Sequence, residues 1–377
     1  MDISHINKDI VEKLETPVLV ISESKVQDKY TKIKDTFENI DIYYAIKANS
    51  DDQILKILDD LGCNFEIASI SELDQLISLG ISPERIISSN PIKISKFIEK
   101  AYEYGVNRFS FDSYQEIDKI ERLAPKSQVY LRLKVDNEGS DWPLTNKFGV
   151  DKSEAIPLME YAQSKNLDVI GLNFHVGSQC LNLDNWEKAM KTSAEIFQLA
   201  KDININLSFL NLGGGIPVKY KKEIPNLNEI KKVIKDSFKS YFQNFQNTKL
   251  VLEPGRGLIG DCGYMVAEVI LLKKNNEENW IYLDVGVYNG LMETLENFSY
   301  ELFLIRNGNI YKDNVRKIPY NIAGPSCDSI DIMFKNYDLP EDIKLGDKII
   351  ILNTGAYTTA CSTSFNGLIT PEIYINN

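Results

Sequence analysis

From about Ile42 to Gly255, short apolar runs alternate with amphipathic stretches of helical period. The apolar runs are Ile42–Ile46, Asn64–Ala68, Ile86–Ser88, Arg108–Phe111, Val129–Val135, Val169–His175, Phe209–Leu212 and Leu250–Glu253. Between them lie helical patterns such as Asp52–Leu61, Ile70–Leu79, Ile94–Tyr104, Tyr114–Leu123, Lys152–Lys165, Asp184–Lys201 and Asn228–Phe245. Strands separated by helices of that length form βαβ units with a parallel sheet. Eight such strands predict an α/β fold with a closed (β/α)8 barrel of the TIM type. After about Asp261 the rhythm changes. Gly263–Lys273, Trp280–Asp284, Phe303–Arg306, Lys317–Ile322, Lys348–Leu352 and Glu372–Ile375 read as closely spaced strands. Turn signals such as Asn307-Gly308 and Asn366-Gly367 separate them. The pattern predicts a barrel over 24–260 and a mostly β domain built from 1–23 and 261–377. The early run Pro17–Ile21 is expected to join that second sheet.

Composition narrows the class. The chain has 377 residues, with 43% hydrophobic positions and a net charge of −12. Such an acidic balance excludes the basic surface that nucleic acids or anionic membranes need. No stretch has the roughly 18 apolar residues of a transmembrane span, and the N-terminus is too polar for a signal peptide. Cys63, Cys180, Cys262, Cys327 and Cys361 are scattered, without CxxC spacing. They point to reduced thiols and a cytoplasmic location. Two histidines, His5 and His175, are too few for a multi-histidine metal site. An acidic enzyme with a small-molecule substrate fits best.

A parallel barrel gathers its chemistry at the C-terminal ends of its strands. Lys47, in Tyr43-Tyr44-Ala45-Ile46-Lys47-Ala48-Asn49, closes an apolar strand. Burial there favours a neutral amine able to form a Schiff base, although a strand-end lysine can also simply reach solvent. His175 ends another run. It can be a base, a donor or a flat surface for an aromatic ligand, or else a satisfied core histidine. Gly213-Gly214-Gly215 follows Phe209–Leu212, and its N–H groups can converge on a phosphate, though a plain tight turn uses the same residues. Glu253, in Glu253-Pro254-Gly255-Arg256, needs a cationic or proton-donating partner at that depth. A protonated pyridine nitrogen would serve, and so would an internal Glu–Arg pair. In the β domain, Cys327 beside Asp328 can be a proton-donating thiol next to a substrate-binding carboxylate, or part of an ordinary turn. A lysine, a histidine, a glycine cradle and a glutamate together are what pyridoxal phosphate requires.

These motifs carry a resemblance. YYAIKAN at 43–49, HVGSQ at 175–179, GGG at 213–215, EPGR at 253–256, GPSCDS at 324–329, GAYT at 355–358 and FNG at 365–367 resemble the fold-type III pyridoxal-phosphate decarboxylases, whose barrel is alanine racemase-like. The ending is most similar to the ornithine/lysine decarboxylase branch. Diaminopimelate decarboxylases share the earlier motifs. The resemblance implies that Lys47 holds the cofactor covalently and that His175 stacks on its ring. It implies that Glu253 pairs with the pyridine nitrogen and that Arg132 lies near the ring. Ser178, Gly214, Gly215, Gly255, Arg256 and Tyr357 would hold the phosphate. Cys327, as proton donor to the α-carbon, and Asp328 would reach into a second subunit's site. The implied assembly is a head-to-tail homodimer with shared active sites, lined by Phe365 and Asn366.

Two departures modify this picture. Glu66 stands where the family usually has aspartate. The position after Tyr288 that this branch fills with a carboxylate, to bind the distal ammonium of ornithine, is Asn297 here. Glu293 and Glu296 lie nearby and would restore the charge if the register shifts. Otherwise Asp328 alone faces the distal nitrogen, which suits an amide there. The expected activity is α-decarboxylation of ornithine or lysine to a diamine, as in polyamine biosynthesis. The alternative is an N-acylated ornithine such as N-citryl-ornithine, as in carboxylate siderophore biosynthesis. Diaminopimelate or carboxynorspermidine decarboxylation follows. Alanine racemization needs a tyrosine base where Cys327-Asp328 stands. A silent regulatory homologue would have lost Lys47, His175, Glu253 or Cys327.

Overall fold

The computed structural model describes residues 6, 8–144, 147–296, 298–311 and 315–376. It divides into two compact units, one of 27–217 with 224–258, the other of 1–26, 218–223 and 259–377.

The first unit is the barrel. Its strands are β1 (Ile40–Ala45), β2 (Asn64–Glu66), β3 (Ile86–Ile87), β4 (Arg108–Phe111), β5 (Gln128–Arg132), β6 (Asp168–Asn173), β7 (Phe209–Asn211) and β8 (Lys249–Leu252). They pair in parallel in the order β3-β2-β1-β8-β7-β6-β5-β4. A parallel bridge between Ser88 and Phe109 joins the two ends. The ring interior holds Tyr43, Ile87, Tyr130, Phe209 and Val251, all buried. Loops after the strands run into capped helices. Ser69 accepts the Glu72 N–H at 3.2 Å, and Asp51 caps Asp52–Asp60 through Gln53 and Ile54. These caps satisfy first-turn donors and hold the strand-to-helix loops in place.

The second unit is built on a nine-stranded sheet. Val18–Ser22 pairs antiparallel with Gly263–Asn275, Val18 opposite Val266, and parallel with Glu372–Asn376. Gly263–Asn275 also pairs with Glu278–Leu283 and Lys348–Leu352. Val18, Val20, Tyr264, Val266, Ile350 and Leu352 form its core. Two strands had no clear signal in the sequence, Asn309–Tyr311 and Ile332–Pro340. The second is interrupted by Lys335-Asn336, and Asn336 takes φ 51°, its N–H held by the Asn321 side chain at 3.2 Å. That bulge breaks the period-two alternation that marks a strand. Residues 218–223 count with this unit. Tyr220 packs edge-on against Phe298 and Tyr300, and the Lys221 amine lies 4.1 Å above the Tyr337 ring.

Candidate active site

The residues expected at the barrel mouth converge at the strand ends. After β1 the chain does not continue as a strand. Ile46–Ala48 forms a 3-10 turn, closed by Asn49 N–H to Ile46 O at 3.0 Å. Lys47 lies in this turn, its side chain half-exposed, with Nζ 2.5 Å from Glu66 Oε2 at the end of β2. The extra methylene of Glu66 therefore still reaches the lysine. Glu72 backs this pair. Its carboxylate accepts the Ala68 N–H at 2.6 Å, and burial pushes its pKa up.

His175 follows β6. Its Nδ1 accepts the Gly177 N–H at 3.0 Å, which leaves the ring proton on Nε2 in the neutral form. Burial and the nearby charges of Arg132 and Lys47 hold its pKa well below the usual histidine range. The ring is neutral at physiological pH. Arg132 ends β5. Burial opposes its charge, while Glu253, Glu66 and Asp112 favour it.

Glu253 follows β8 and is 6% exposed. Oε1 accepts hydrogen bonds from the Ser89 hydroxyl and from Asn211 Nδ2, the latter at 2.7 Å. Oε2 bonds to no described residue. Burial, then the charge of Glu66, pushes its pKa up to about 7 against the restraint of Lys47 and the two donors. Because the folded value lies above the ordinary glutamate value of 4.5, the folded state holds this proton more tightly. The cofactor-free protein should lose stability relative to its Glu253→Gln variant as pH rises from about 4.5 through 7. Urea midpoints measured across that range check the sign.

Next to Glu253 lies a set of unsatisfied donors. Gly214 and Gly255 are buried and Gly215 is half-buried. Among the described residues, none of their backbone N–H groups has an acceptor. Buried N–H groups without partners are rare and costly. Arg256, also buried, donates from Nε to Ser178 Oγ at 3.2 Å. The cluster has the chemistry of an anion site. Its space is tight, since a Cβ on Gly214 would fall 2.8 Å from the Glu253 carbonyl oxygen and 3.1 Å from His175 Nε2. Gly215 has φ +95°, a conformation that side chains rarely adopt.

The remaining candidates lie in the β-rich unit. Cys327 is exposed, and its Sγ is 3.7 Å from Asn366 Oδ1. Asp328 accepts the Ile330 N–H at 3.0 Å and the Tyr288 hydroxyl at 2.9 Å, which lower its pKa in that order of effect. The Tyr288 and Phe365 rings pack at a tilt of 31°, with centroids 4.4 Å apart. Tyr357 follows the strand Lys348–Leu352 with φ 55°. Glu293 is buried, with the Tyr300 hydroxyl 3.3 Å away, and Glu296 is exposed. Asn297 lies outside the described residues.

A half-exposed lysine just past a strand end, a buried glutamate and a set of N–H groups without acceptors among the described residues fit a phosphorylated pyridine aldehyde. Comparison with known proteins agrees. Residues 23–260 match the pyridoxal-binding domain of the pyridoxal-dependent decarboxylases. The chain belongs to this family. It is 34% identical to the lysine/ornithine decarboxylase of Selenomonas ruminantium, over 96% of this chain and 89% of that one. The crystal structure of lysine decarboxylase from that organism matches with a TM-score of 0.89 and 32% identity, covering 100% of this chain and 96% of the other. The arginine decarboxylase of Paramecium bursaria Chlorella virus matches with a TM-score of 0.90 and 29% identity, covering 98% and 100%. The decarboxylase is thus a pyridoxal-phosphate-dependent carboxy-lyase of fold type III. Among its described residues no three metal-binding side chains cluster, and no helix is long and apolar enough to cross a membrane.

The sequence did not single out Ser89, Asn211, Tyr130 or Glu72. Asn211 immediately precedes the Leu212-Gly213 turn and Ser89 follows β3. For these two, a polar residue at the end of an apolar strand was the available signal; Tyr130 lies mid-strand and Glu72 in a helix, with no such signal. A Gly214→Ala substitution should weaken pyridoxal phosphate binding by about tenfold or more, since an overpacked methyl costs roughly 1–3 kcal/mol. Fluorescence titration of the cofactor-free variant measures the loss.

Proposed function

We propose that this decarboxylase removes the α-carboxyl group of free L-ornithine or L-lysine, giving the corresponding diamine. The observation that carries this reading is the Asp328 carboxylate, kept ionised by Tyr288 and Ile330, beside an exposed Cys327 thiol. An anion with an apolar aromatic pair next to it suits a methylene chain that ends in a cation. Relatives named for lysine, ornithine and arginine substrates support this class.

Pyridoxal phosphate, when bound, supplies an electron sink for the pair left on the α-carbon as CO2 departs. The residues of this chain do the rest. Lys47 would hold the cofactor covalently, and Glu66 lies in place to pair with the lysine amine. His175, neutral, offers a flat face to the ring. Glu253 would pair through Oε2 with the pyridine nitrogen and hold the proton there. The N–H groups of Gly214, Gly215 and Gly255, with Arg256, Ser178 and Tyr357, would hold the phosphate, and Arg132 would lie by the ring. Cys327 delivers a proton to the α-carbon, and Asp328 binds the distal nitrogen. Cys327 and Asp328 act in the site of a second subunit, in a head-to-tail cytoplasmic homodimer. Mixing the inactive Lys47→Ala and Cys327→Ala proteins should then restore about a quarter of wild-type activity, because half of randomly paired dimers carry one intact site. Activity that stays at the sum of the two variants would count against shared sites.

One observation favours a second reading. Among the described residues Asp328 is the carboxylate bonded to Tyr288 beside Cys327, while the buried Glu293 lies 3.3 Å from the Tyr300 hydroxyl. A single carboxylate suits a substrate whose distal nitrogen is an amide, such as N-citryl-ornithine. CO2 release from ornithine, lysine, diaminopimelate, carboxynorspermidine and δ-N-citryl-ornithine, compared as kcat/KM, tests both. Preference for ornithine or lysine supports the first reading. Preference for the citryl compound by about tenfold or more would replace it.

A further inference from the structure

Inside the barrel, below the mouth, lies a polar cluster that no role described above requires. Ser89 follows β3, Tyr130 lies on β5 and Asn211 ends β7, and all are buried. Ser89 Oγ contacts Tyr130 OH at 2.8 Å and Asn211 Nδ2 at 3.1 Å, and donates to Glu253 Oε1. Asn211 Nδ2 donates to the same Oε1.

The direction of each bond follows from counting protons. Asn211 Oδ1 accepts the Gly213 N–H at 2.9 Å, so its amide nitrogen must face Ser89 and Glu253. Ser89 has one proton and gives it to Glu253. Its lone pairs are left for Asn211 and for Tyr130, which must therefore be the donor. Every bond runs toward Oε1, which receives two donors and carries no proton. In this arrangement Oε2 is the oxygen left without a donor and open to a proton.

We propose that Ser89, anchored by Tyr130, and Asn211 are positioning residues that direct Glu253 Oε2 at the cofactor and weaken its basicity, so that the proton shared with the ring nitrogen stays on the ring. This rests on the reading that Glu253 faces that nitrogen. The charged groups around Glu253 are Glu66 from β2, Lys47 from the turn after β1 and Arg132 from β5. Burial and Glu66 raise the basicity of Glu253, and Lys47 opposes them together with the two neutral donors. Removing a donor strips one restraint, and the proton moves from the ring to the carboxylate.

The first test uses the cofactor-free protein. The Glu253 carboxyl is followed by isotope-edited infrared titration and assigned by subtracting Glu253→Gln. The wild-type midpoint is expected near 7. Ser89→Ala should raise it by about one pH unit, the scale of a lost hydrogen bond to a charged group. Ser89→Thr keeps the hydroxyl and should restore it. Tyr130→Phe, which preserves shape if Ser89→Ala folds poorly, should shift it the same way by less. The second readout is the 15N resonance of ring-labelled pyridoxal phosphate in the holoenzyme. It should move toward the unprotonated position in Ser89→Ala, with kcat falling about tenfold and KM unchanged. A Ser89→Ala midpoint equal to wild type would overturn the proposal. If Glu253→Gln itself leaves the 15N resonance unchanged, the placement of Glu253 at the ring nitrogen fails instead, whatever Ser89→Ala does to the titration.

Discussion

Replacing Lys47 with alanine is expected to lower decarboxylation by about 10³-fold or more, beyond the usual range for loss of one proton-transfer group, because the attachment point of the cofactor goes with the amine. The substitution also leaves the buried Glu66 carboxylate without its cation. A loss of stability therefore accompanies the loss of activity. Lys47→Arg separates the two effects. Its guanidinium still pairs with Glu66 and should recover thermal stability, while activity stays at the alanine level because arginine does not form the covalent link. Steady-state CO2 release and thermal melts on both variants read the two outcomes. Recovery of activity by arginine would assign Lys47 to charge pairing alone.

The second large effect is expected at Glu253. In the Glu253→Gln variant the glutamine oxygen can still accept from Ser89 and Asn211, so the polar cluster beneath it survives. What is lost is the negative charge that keeps the ring nitrogen protonated. Removing one preorganised electrostatic partner typically costs about 10²–10³ in kcat. Glu253→Gln should show a loss of that size in kcat with little change in KM for substrate. Glu253→Asp keeps the charge and should recover part of it. Equal losses from glutamine and aspartate would mean that reach, and not charge, is what Glu253 supplies.

The barrel was legible in the sequence because its strands are apolar runs separated by helices of regular length, and all eight appear in order. The ends of those runs were less legible. Ile46-Lys47 continues an apolar stretch in the sequence, yet the chain turns there, with Tyr44 OH bonded to Asn49 O at 2.8 Å across the turn. That turn carries Lys47 out of the strand. In the β-rich unit, Ile332–Pro340 went unrecognised because its bulge hides the alternation. The motif residues Lys47, His175, Glu253 and the glycine triplet were visible as unusual groups at strand ends, but their roles came from family resemblance. Spacing alone left a satisfied histidine or an internal ion pair open. The supporting residues were out of reach for a different reason. Ser89 and Glu253 are 164 positions apart, and Ser89 and Asn211 are 122 apart. No local pattern couples residues so distant, and closure of the barrel alone makes them neighbours. The Gly255 N–H is a similar case. That it has no acceptor among the described residues shows only once the backbone path is known.

The account depends most on where the cofactor is attached. Borohydride reduction of the holoenzyme, followed by proteolysis and peptide mass analysis, should find one phosphopyridoxyl group per chain, on the peptide that contains Lys47. A phosphopyridoxyl group on any other lysine, or none on a protein that still releases CO2, would contradict it.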